Sequence, residues 1–549
     1  MLRSFESLAL LRLLRRGSKR LNLEIVALVV LAGLANAGVL AIINAAAENA
    51  SNDGKNGRML AMFLVTIALY VYAQRYILFL SVTEVENTLG GIRVAVADRL
   101  RRTDLEALEQ LGRAEIFGLV ARETQNISQA ASTLAMALQS MMVVAFSVAY
   151  LAILSTTAFM ITVAMSALGI MLHLRRLQAL SAMQAEAQQR ENDYLALLTH
   201  LIEGFKEVRL RRARSDDLYR ELSEVSHTVQ DVKTRTGREF SAHYIFSQVM
   251  FYALLAAIVF LLPRFGSEYS SLVLKLTAAI LFIIGPLGAI VSSIPAWSSA
   301  NVAAQNIFDL ETRLAAASAG DDKGRPEAPP PARFSRLKLT RVVFQYPERG
   351  TGSIFRVGPL DLEAHAGEIL FIVGGNGSGK STLLKTLTGL YHPHSGAITL
   401  DDTLIGQENA TWYRSHFAAV FSEYHLFERL YGLYDMEPER VRELLVTMQI
   451  SDKTSFEGAR FTTLDLSQGQ RKRLALLVAI LENRPILVLD EWAADQDPSF
   501  RRYFYEELLP QLKREGRTVI AVTHDDKYFN VADRVVKMEY GEIVPAAAA

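Results

Sequence analysis

The sequence of 549 residues contains no cysteine. Disulfides, thiolate metal sites and cysteine nucleophiles are therefore excluded within this chain. An excess of charge of one sign is also lacking, because 58 basic residues balance 58 acidic ones. A net charge of zero gives no indication of a polyanionic partner, so we expect no binding to nucleic acid. Any chemistry must come from other residue types.

Hydrophobic residues make up 50% of the chain and concentrate before about residue 300. Six runs are apolar and long enough to cross a hydrocarbon layer of about 30 Å as helices. They are residues 25–46, 59–81, 133–154, 156–174, 244–262 and 272–294. We therefore predict an all-α transmembrane domain of six helices over residues 1–312, embedded in a lipid bilayer.

Basic residues cluster in three segments outside these runs, residues 1–20, 84–132 and 175–243. Positive residues are retained on the cytoplasmic side, so we expect a multi-pass membrane protein with both termini in the cytoplasm. The two long connections keep helical periodicity, which predicts that the spans continue into the cytosol. The basic N-terminal segment has no small-residue cleavage site and is interpreted as an uncleaved lead-in to the first span.

Five polar residues interrupt the predicted spans: Asn44, Arg75, Gln139, Gln248 and Lys275. A charge inside a membrane is costly and tends to face a cavity or a partner. Two interpretations stay open for Arg75 and Lys275. Their long side chains could reach the interface from near the helix ends, or they could contact cargo.

The composition changes to Ala, Gly, Asp and Pro over residues 313–334, which is typical of a connector. A second domain is expected over residues 335–549. Strand-like runs at 337–346, 368–373, 486–489 and 518–522 alternate there with helical stretches. This alternation predicts a parallel α/β sheet.

The run at 368–373 ends directly in a glycine-rich loop that is followed by a helical stretch. Its residues are Gly374, Gly375, Asn376, Gly377, Ser378, Gly379, Lys380, Ser381 and Thr382. Glycines allow consecutive amides to point at phosphate oxygens, a lysine supplies a cation to the phosphates, and a serine hydroxyl can bind Mg²⁺. The order of strand, loop and helix therefore predicts a nucleotide site, with ATP and Mg²⁺ as its ligands.

Two further motifs follow in order. Asp490 and Glu491 come directly after the strand-like run at 486–489. The first carboxylate would hold Mg²⁺ and the second would polarise the attacking water. Before them, a pentapeptide opens a helical stretch and offers a second amide-lined helix start for phosphate: Leu466, Ser467, Gln468, Gly469 and Gln470.

These motifs stand in the order of the ATP-binding cassette (ABC) superfamily, and nearly the whole chain resembles an ABC exporter half-transporter. The resemblance implies a type IV exporter fold, a P-loop cassette and a homodimer in which the pentapeptide, the family's signature, binds the partner's ATP. It also implies that Tyr346 stacks on adenine, that Asp497 is the D-loop aspartate, and that His524 contacts the γ-phosphate and shares catalysis with Glu491. Two short coupling helices are expected, near residues 107–117 and 203–215.

One position departs from the family pattern. Ser422, followed by Glu423, occupies the place of the family's Q-loop glutamine. A serine can still reach the metal through water and Glu423 can contact a coupling helix, so we predict an active ATPase. His392 and His394 are interpreted as part of a surface turn and not as metal ligands.

The residues from Leu489 to Pro498, with Trp492 where most relatives have proline, resemble the cyclic-peptide transporter group. Glu109-Gln110-Leu111-Gly112 supports this similarity. Members of that group export lasso-type microcins, syringomycin-like lipopeptides or siderophore precursors, which implies a peptide-like or siderophore-like cargo and a place in the bacterial inner membrane. A lipid flippase, a multidrug exporter, an importer and a membrane ATPase regulator without transport are the alternatives.

Overall fold

The computed structural model describes residues 9–17, 21–50, 57–265, 268–317, 334–346 and 355–544. The chain divides into two compact units. The helical unit comprises Met1–Ala97 and Ala114–Thr312, and the sheet unit comprises Asp98–Arg113 and Arg313–Ala549. The short segment at 98–113 was expected in the membrane domain, but it groups with the sheet unit.

Long helices build the first part of the chain because its apolar runs contain few residues that break a helix. They are α1 (Ala9–Gly17), α2 (Leu21–Ala50), α3 (Gly57–Leu100), α4 (Leu105–Leu111), α5 (Arg113–Leu154), α6 (Thr156–Glu203), α7 (Phe205–Leu210), α8 (Arg212–Ala256) and α9 (Glu268–Ala317). A π-helical turn at Ala257–Leu261 and a 3₁₀ turn at Leu262–Phe265 extend α8. The short helix α7 lies within the second range predicted for coupling helices, and α4 overlaps the first but begins two residues before it.

Five of these helices are long and apolar enough to cross a membrane, within the residues that the structure describes. Their candidate spans are Val26–Glu48, Gly57–Leu100, Ile116–Leu154, Arg212–Arg264 and Leu272–Ala317. The remaining predicted span begins α6, where the apolar stretch Thr156–Gly169 is shorter. The sixth crossing therefore stays a prediction. Helices suit this setting because they satisfy their own backbone polar groups in lipid.

The helical unit packs an apolar core from α2, α5, α8 and α9, including Leu40, Leu151, Leu254 and Ile280. Polar residues of the spans are partnered at its margin. The Asn44 amide donates to the Tyr150 hydroxyl at 3.2 Å. Lys275 forms an ion pair with Glu48, with 2.6 Å between Nζ and Oε2. An ion pair within the unit satisfies this lysine without cargo.

The sheet unit contains twelve strands in the part of the chain that the structure describes. They are β1 (Arg336–Gln345), β2 (Arg356–His365), β3 (Ile369–Gly374), β4 (Ser395–Leu400), β5 (Thr403–Leu404), β6 (Phe417–Val420), β7 (Phe456–Glu457), β8 (Arg460–Phe461), β9 (Ile486–Asp490), β10 (Thr518–Val522), β11 (Arg534–Glu539) and β12 (Glu542–Val544). The helices are α10 (Lys380–Leu387), α11 (Ala410–Arg414), α12 (Pro438–Thr447), α13 (Gln468–Leu481), α14 (Pro498–Tyr503) and α15 (Leu509–Arg514).

Two larger sheets result. The first has the order β12-β11-β3-β10-β9-β6 and is parallel except for β12, which pairs antiparallel with β11. The second, β2-β1-β4-β5, is antiparallel throughout. The prediction of a parallel sheet is thus right for the runs at 368–373, 486–489 and 518–522 and wrong for 337–346. That run becomes β1, whose alternating burial suits a sheet with only one face in a core.

Strand β3 shows why its residues form an unbroken apolar run. Ile369 and Phe371 belong to the core on one face of the sheet, and Leu370 and Ile372 belong to the core on the other face. A parallel strand that is covered on both faces needs no polar alternation. This double burial positions the loop that follows β3.

The connector differs from its predicted bounds. Helix α9 runs through Ala317, so the chain stays helical past residue 313, where the connector was expected to begin. The rest of that segment, 318–333, lies outside the described residues.

Trp492 is a sensitive point of the sheet unit. It is 1% exposed, its ring lies 4.4 Å from that of Phe504, and its indole N–H donates to the Lys472 carbonyl at 2.8 Å. We expect Trp492→Ala to lower the free energy of unfolding by about 3–5 kcal/mol, because a large cavity replaces the ring. Denaturant unfolding of the purified full chain measures this. Tyr434→Ala is the matched control, because Tyr434 is 78% exposed, and an equal loss in both variants would contradict the packing account.

Candidate ATP site

The glycine-rich loop joins β3 to α10 in a conformation that needs its glycines. Gly377 and Gly379 have φ angles of 77° and 98°, a region that residues with a Cβ rarely adopt. A Cβ at Gly374 would lie 2.3 Å from the Met538 carbonyl oxygen. The loop thus follows the neighbouring strand closely and opens its amides at the start of α10.

Lys380, the first residue of α10, turns its ammonium back over this loop. Its Nζ donates to the carbonyl oxygens of Gly374 at 2.9 Å and Gly375 at 3.0 Å. The side chain is 6% exposed, and Nζ lies 3.7 Å from Oε1 of Glu491. A buried cation above the loop amides is an arrangement that attracts phosphate.

Glu491 and His524 meet beside this lysine. His524 Nε2 lies 3.1 Å from Glu491 Oε1. Glu491 follows β9 in a left-handed conformation with a φ angle of 49°. Its amide donates to the Val522 carbonyl at 3.1 Å, and its carbonyl accepts from Lys472 Nζ at 2.9 Å. Two hydrogen bonds to the Glu491 backbone therefore hold an uncommon conformation, which directs the carboxylate to Lys380 and His524.

Asp490 is buried at the end of β9 with only one oxygen satisfied. Its Oδ2 accepts from the Ser422 hydroxyl at 3.0 Å, whereas its Oδ1 has no hydrogen-bond partner in the described part of the chain. A buried carboxylate oxygen without a partner is costly unless a cation or a donor binds it. Ser422, in the place of the Q-loop glutamine, thus contacts the predicted metal ligand Asp490 directly. Glu423 beside it is exposed.

Tyr346 follows the last residue of β1 and belongs to an aromatic cluster. Its ring is edge-on to Phe344 at 5.1 Å and to Tyr391 at 6.0 Å. Its hydroxyl lies 2.9 Å from the Thr382 hydroxyl of α10. The predicted base-stacking residue is thereby tied to the helix that carries Lys380.

The signature pentapeptide begins α13 with a reciprocal cap. The Ser467 hydroxyl accepts from the Gln470 amide at 3.4 Å, and the Gln470 side chain accepts from the Ser467 amide at 3.0 Å. A Cβ at Gly469 would meet the Asp495 carbonyl oxygen at 2.6 Å. Leu466 packs against the core, and the Gln468 amide donates to the Asp495 carboxylate at 3.3 Å.

Asp497, the predicted D-loop residue, caps α14 by accepting from the Phe500 amide at 3.0 Å. Hydrogen bonds from the Ser499 hydroxyl and this amide, and then the Arg473 guanidinium, lower the pKa of its carboxyl to about 2. The carboxylate is therefore charged at any pH near neutrality. Its contact with Arg473 links the D-loop to the signature helix.

Most predicted site residues thus come together, but the signature pentapeptide does not join them. Lys380, Glu491 and His524 form one cluster, and Ser422 joins Asp490 nearby. Within the described residues, no hydrogen bond or ion pair joins the signature pentapeptide to the glycine-rich loop. Sequence reasoning missed Lys472, whose ammonium holds the Glu491 carbonyl and pairs with Asp495 at 2.7 Å. A lysine on an amphipathic helix carries no signal that would reveal this role.

The structure also explains His392, which the sequence assigned to a surface turn. Its Nε2 lies 3.4 Å from Oδ1 of Asp104, just before α4, within the sheet unit. This hydrogen bond raises the pKa of His392. His392 thus has a protein partner in Asp104.

Comparison with known proteins agrees with this geometry. A family model described as ABC transporter matches residues 357–494, which include the glycine-rich loop, the signature and the Asp490-Glu491 pair. The chain is 35% identical over 473 residues to the ATP-binding protein SyrD of Pseudomonas syringae pv. syringae, covering 82% of both chains. It is 32% identical over 212 residues to the probable syringafactin export ATP-binding/permease protein SyfD of the same pathovar, covering 36% of this chain and 32% of that protein.

A third relative is the ATP-dependent lipid A-core flippase of Chromobacterium violaceum, 27% identical over 59% of this chain and 57% of the flippase. The extent of the match to SyrD shows that this chain belongs to the ABC transporter family. It is an ATP-hydrolysing transporter whose helices form the membrane part and whose sheet unit is the ATP-binding cassette.

Glu491→Gln tests the role of the carboxylate. We expect hydrolysis to fall by about 10²–10⁴-fold, as for loss of a general base, because an amide cannot accept a proton from water. ATP binding should persist, since Lys380 and the loop are unchanged. Phosphate release and fluorescent-nucleotide binding on the purified protein measure the two effects. Glu408→Gln, at an exposed carboxylate outside the predicted site, is the control, and an inactive native chain would contradict the predicted ATPase activity despite Ser422.

Proposed function

We propose that the chain exports a peptide-like secondary metabolite from the cytoplasm across the inner membrane, using ATP hydrolysis. The main support for this proposal is the cluster of Lys380, Glu491 and His524 beside a glycine-rich loop. The same chain contains apolar helices long enough to span a membrane. The relative SyfD is named for the export of syringafactin, and this name supports a peptide-like cargo. A siderophore precursor belongs to the same chemical class.

The reaction follows from the geometry of the site. Phosphate oxygens would replace the carbonyl oxygens of Gly374 and Gly375 as partners of the Lys380 ammonium. Glu491 would then accept a proton from the attacking water. His524, within 3.1 Å of that carboxylate, would orient it and contact the γ-phosphate.

The residues present fit a magnesium ion. The buried Asp490 Oδ1 lacks a partner among the described residues, and a carboxylate, a hydroxyl and phosphate oxygens are the ligands that Mg²⁺ prefers. Asp490 and Ser381 would hold the ion. When bound, it would neutralise charge on the transferred phosphate.

We further propose that two copies of the chain work together. The Ser467 hydroxyl accepts from Gln470 within the same helix start, and the Gly469 carbonyl accepts from the Gln496 side chain on the D-loop side of the cassette. An exposed helix start, with the positive end of its dipole outward, is suited to bind the phosphates of a nucleotide held by a second copy. Hydrolysis would then be linked to closure of a pair of cassettes.

A cavity of about 840 Å³ in the helical unit supports a mixed polar and apolar cargo. Helices α5, α6, α8 and α9 line it with groups that include Gln184, Glu191, Lys233, Thr236 and Phe240. Glu191 and Lys233 form an ion pair with 2.7 Å between Oε1 and Nζ. A lining with amides, hydroxyls, an aromatic ring and one ion pair suits a peptide-like molecule better than a purely apolar one.

Transport by inside-out membrane vesicles tests the proposed function. With a fluorescently labelled cyclic lipopeptide and ATP outside, we expect accumulation in the lumen, and we expect Lys380→Ala to abolish it because the phosphate cation is lost. A labelled phospholipid in parallel vesicles is the comparison. Movement of the phospholipid alone would support the flippase instead, and undiminished transport by Lys380→Ala would contradict ATP-driven export.

The cavity makes a separate prediction. Lys233→Met should reduce stimulation of ATP hydrolysis by the labelled lipopeptide by about 10-fold or more, because a charged hydrogen-bond donor of the cavity lining is lost. Basal hydrolysis should not change. Glu224→Gln, an exposed carboxylate on the same helix α8 that does not line the cavity, is the control. Equal stimulation in all three proteins would exclude this cavity as the cargo site.

A further inference from the structure

Helix α4 contacts the cassette through the carboxylate of Glu109. Glu109 Oε2 accepts from the Tyr391 hydroxyl at 2.5 Å, and its Oε1 accepts from Lys385 Nζ at 3.0 Å. Lys385 Nζ also donates to the Tyr391 hydroxyl at 3.1 Å. These three residues form a closed triangle, which we call the α4 clasp. Charged hydrogen bonds of this kind are stronger than neutral ones.

Both cassette partners of the clasp are continuous with the nucleotide site. Lys385 lies on α10, the helix that starts with Lys380. Tyr391 is 1% exposed and its ring stacks on Phe344 at 4.5 Å. The same ring meets the edge of Tyr346 at 6.0 Å. Tyr346, the predicted adenine-stacking residue, and helix α10, which starts with Lys380, are therefore both connected to Glu109 through the clasp.

The hydroxyl of Tyr391 keeps its proton. Burial first, and then its hydrogen bond with Glu109, raise the pKa of this phenol. The phenol is thus a hydrogen-bond donor near neutral pH. The clasp is a fixed connection, so a displacement of the aromatic cluster is transmitted to α4.

The Q-loop place offers no equivalent connection. The Ser422 hydroxyl donates to Asp490, and in the described residues neither Ser422 nor Glu423 has a hydrogen bond to α4. A serine side chain is also too short to contact the metal ligand and a distant helix together. The clasp is therefore a polar link between α4 and the helix that starts with Lys380.

We propose that Tyr391 and Lys385 are positioning residues that transmit nucleotide binding to α4 through Glu109. They act beside the ATP site and contact neither the reacting phosphate nor the water. This inference rests on ATP binding by the cassette and not on the identity of the cargo. Its test can therefore succeed or fail independently of the proposed export function.

Tyr391→Phe tests the clasp, because it keeps the ring and removes only the hydroxyl. The experiment uses the purified full chain in lipid nanodiscs with no cargo. Since the chain has no native cysteine, Gln110→Cys on the exposed side of α4 provides one thiol for a spin label. We expect ATP to change the mobility of this label in the otherwise native chain. In Tyr391→Phe the change should fall by at least about fivefold, because one of two charged hydrogen bonds to Glu109 is lost.

Nucleotide affinity and basal hydrolysis should remain within about twofold of the native values, because Lys380, Glu491 and His524 are untouched. A residue with only a structural role would lower these two quantities together with the label response. Tyr413→Phe is the matched control, because its hydroxyl donates to the Leu387 carbonyl at 2.5 Å within the cassette and does not contact α4. This control should keep the full label response.

Glu109→Gln gives a second reading if Tyr391→Phe folds poorly. The amide oxygen can still accept from Tyr391, but the charge that binds Lys385 is lost, so an intermediate label response is expected. A native response in both variants would overturn the proposal. A parallel loss of nucleotide affinity in both would overturn it as well, since the clasp would then belong to the binding site itself.

Discussion

The register of three neighbouring parallel strands determines where the chemistry of this protein lies. Val522 of β10 pairs with Ile372 of β3 on one side and with Asp490 of β9 on the other. The carboxyl ends of the three strands therefore meet at one edge of the sheet. The glycine-rich loop, Glu491 and His524 each leave from one of these ends. A slip of one residue would turn the side chains to the opposite face and separate the cluster.

Two helices carry this constraint outward. Helix α10 starts with Lys380, and Lys385 of the clasp lies five residues later on the same helix. Helix α13 starts with the signature, and its Lys472 donates to the Glu491 carbonyl while the Lys472 carbonyl accepts from Trp492. The backbone of Glu491, the proposed catalytic carboxylate, is thus supported by the helix that starts with the signature.

Much of this arrangement could be predicted from the sequence because its signals are local. An apolar run followed by glycines, or by two carboxylates, predicts a strand that ends in a loop with functional residues. Strands β3 and β9 lie where such runs predicted them. The antiparallel sheet around β1 was missed, because alternation in one strand does not identify its partners. The clasp was missed as well. Glu109 and Tyr391 are 282 positions apart, and only the folded cassette brings them together.

The central claim is that one chain carries half of a shared ATP site, so mixing of two defective chains tests it most directly. The measurement is ATP hydrolysis by a co-reconstituted mixture of Lys380→Ala and Ser467→Arg chains, each inactive alone. In a mixed pair, one site combines both defects and the other is intact, so the account predicts recovery to roughly a quarter of native activity for random pairing. Activity no greater than the sum of the two separate variants would contradict a site shared between copies.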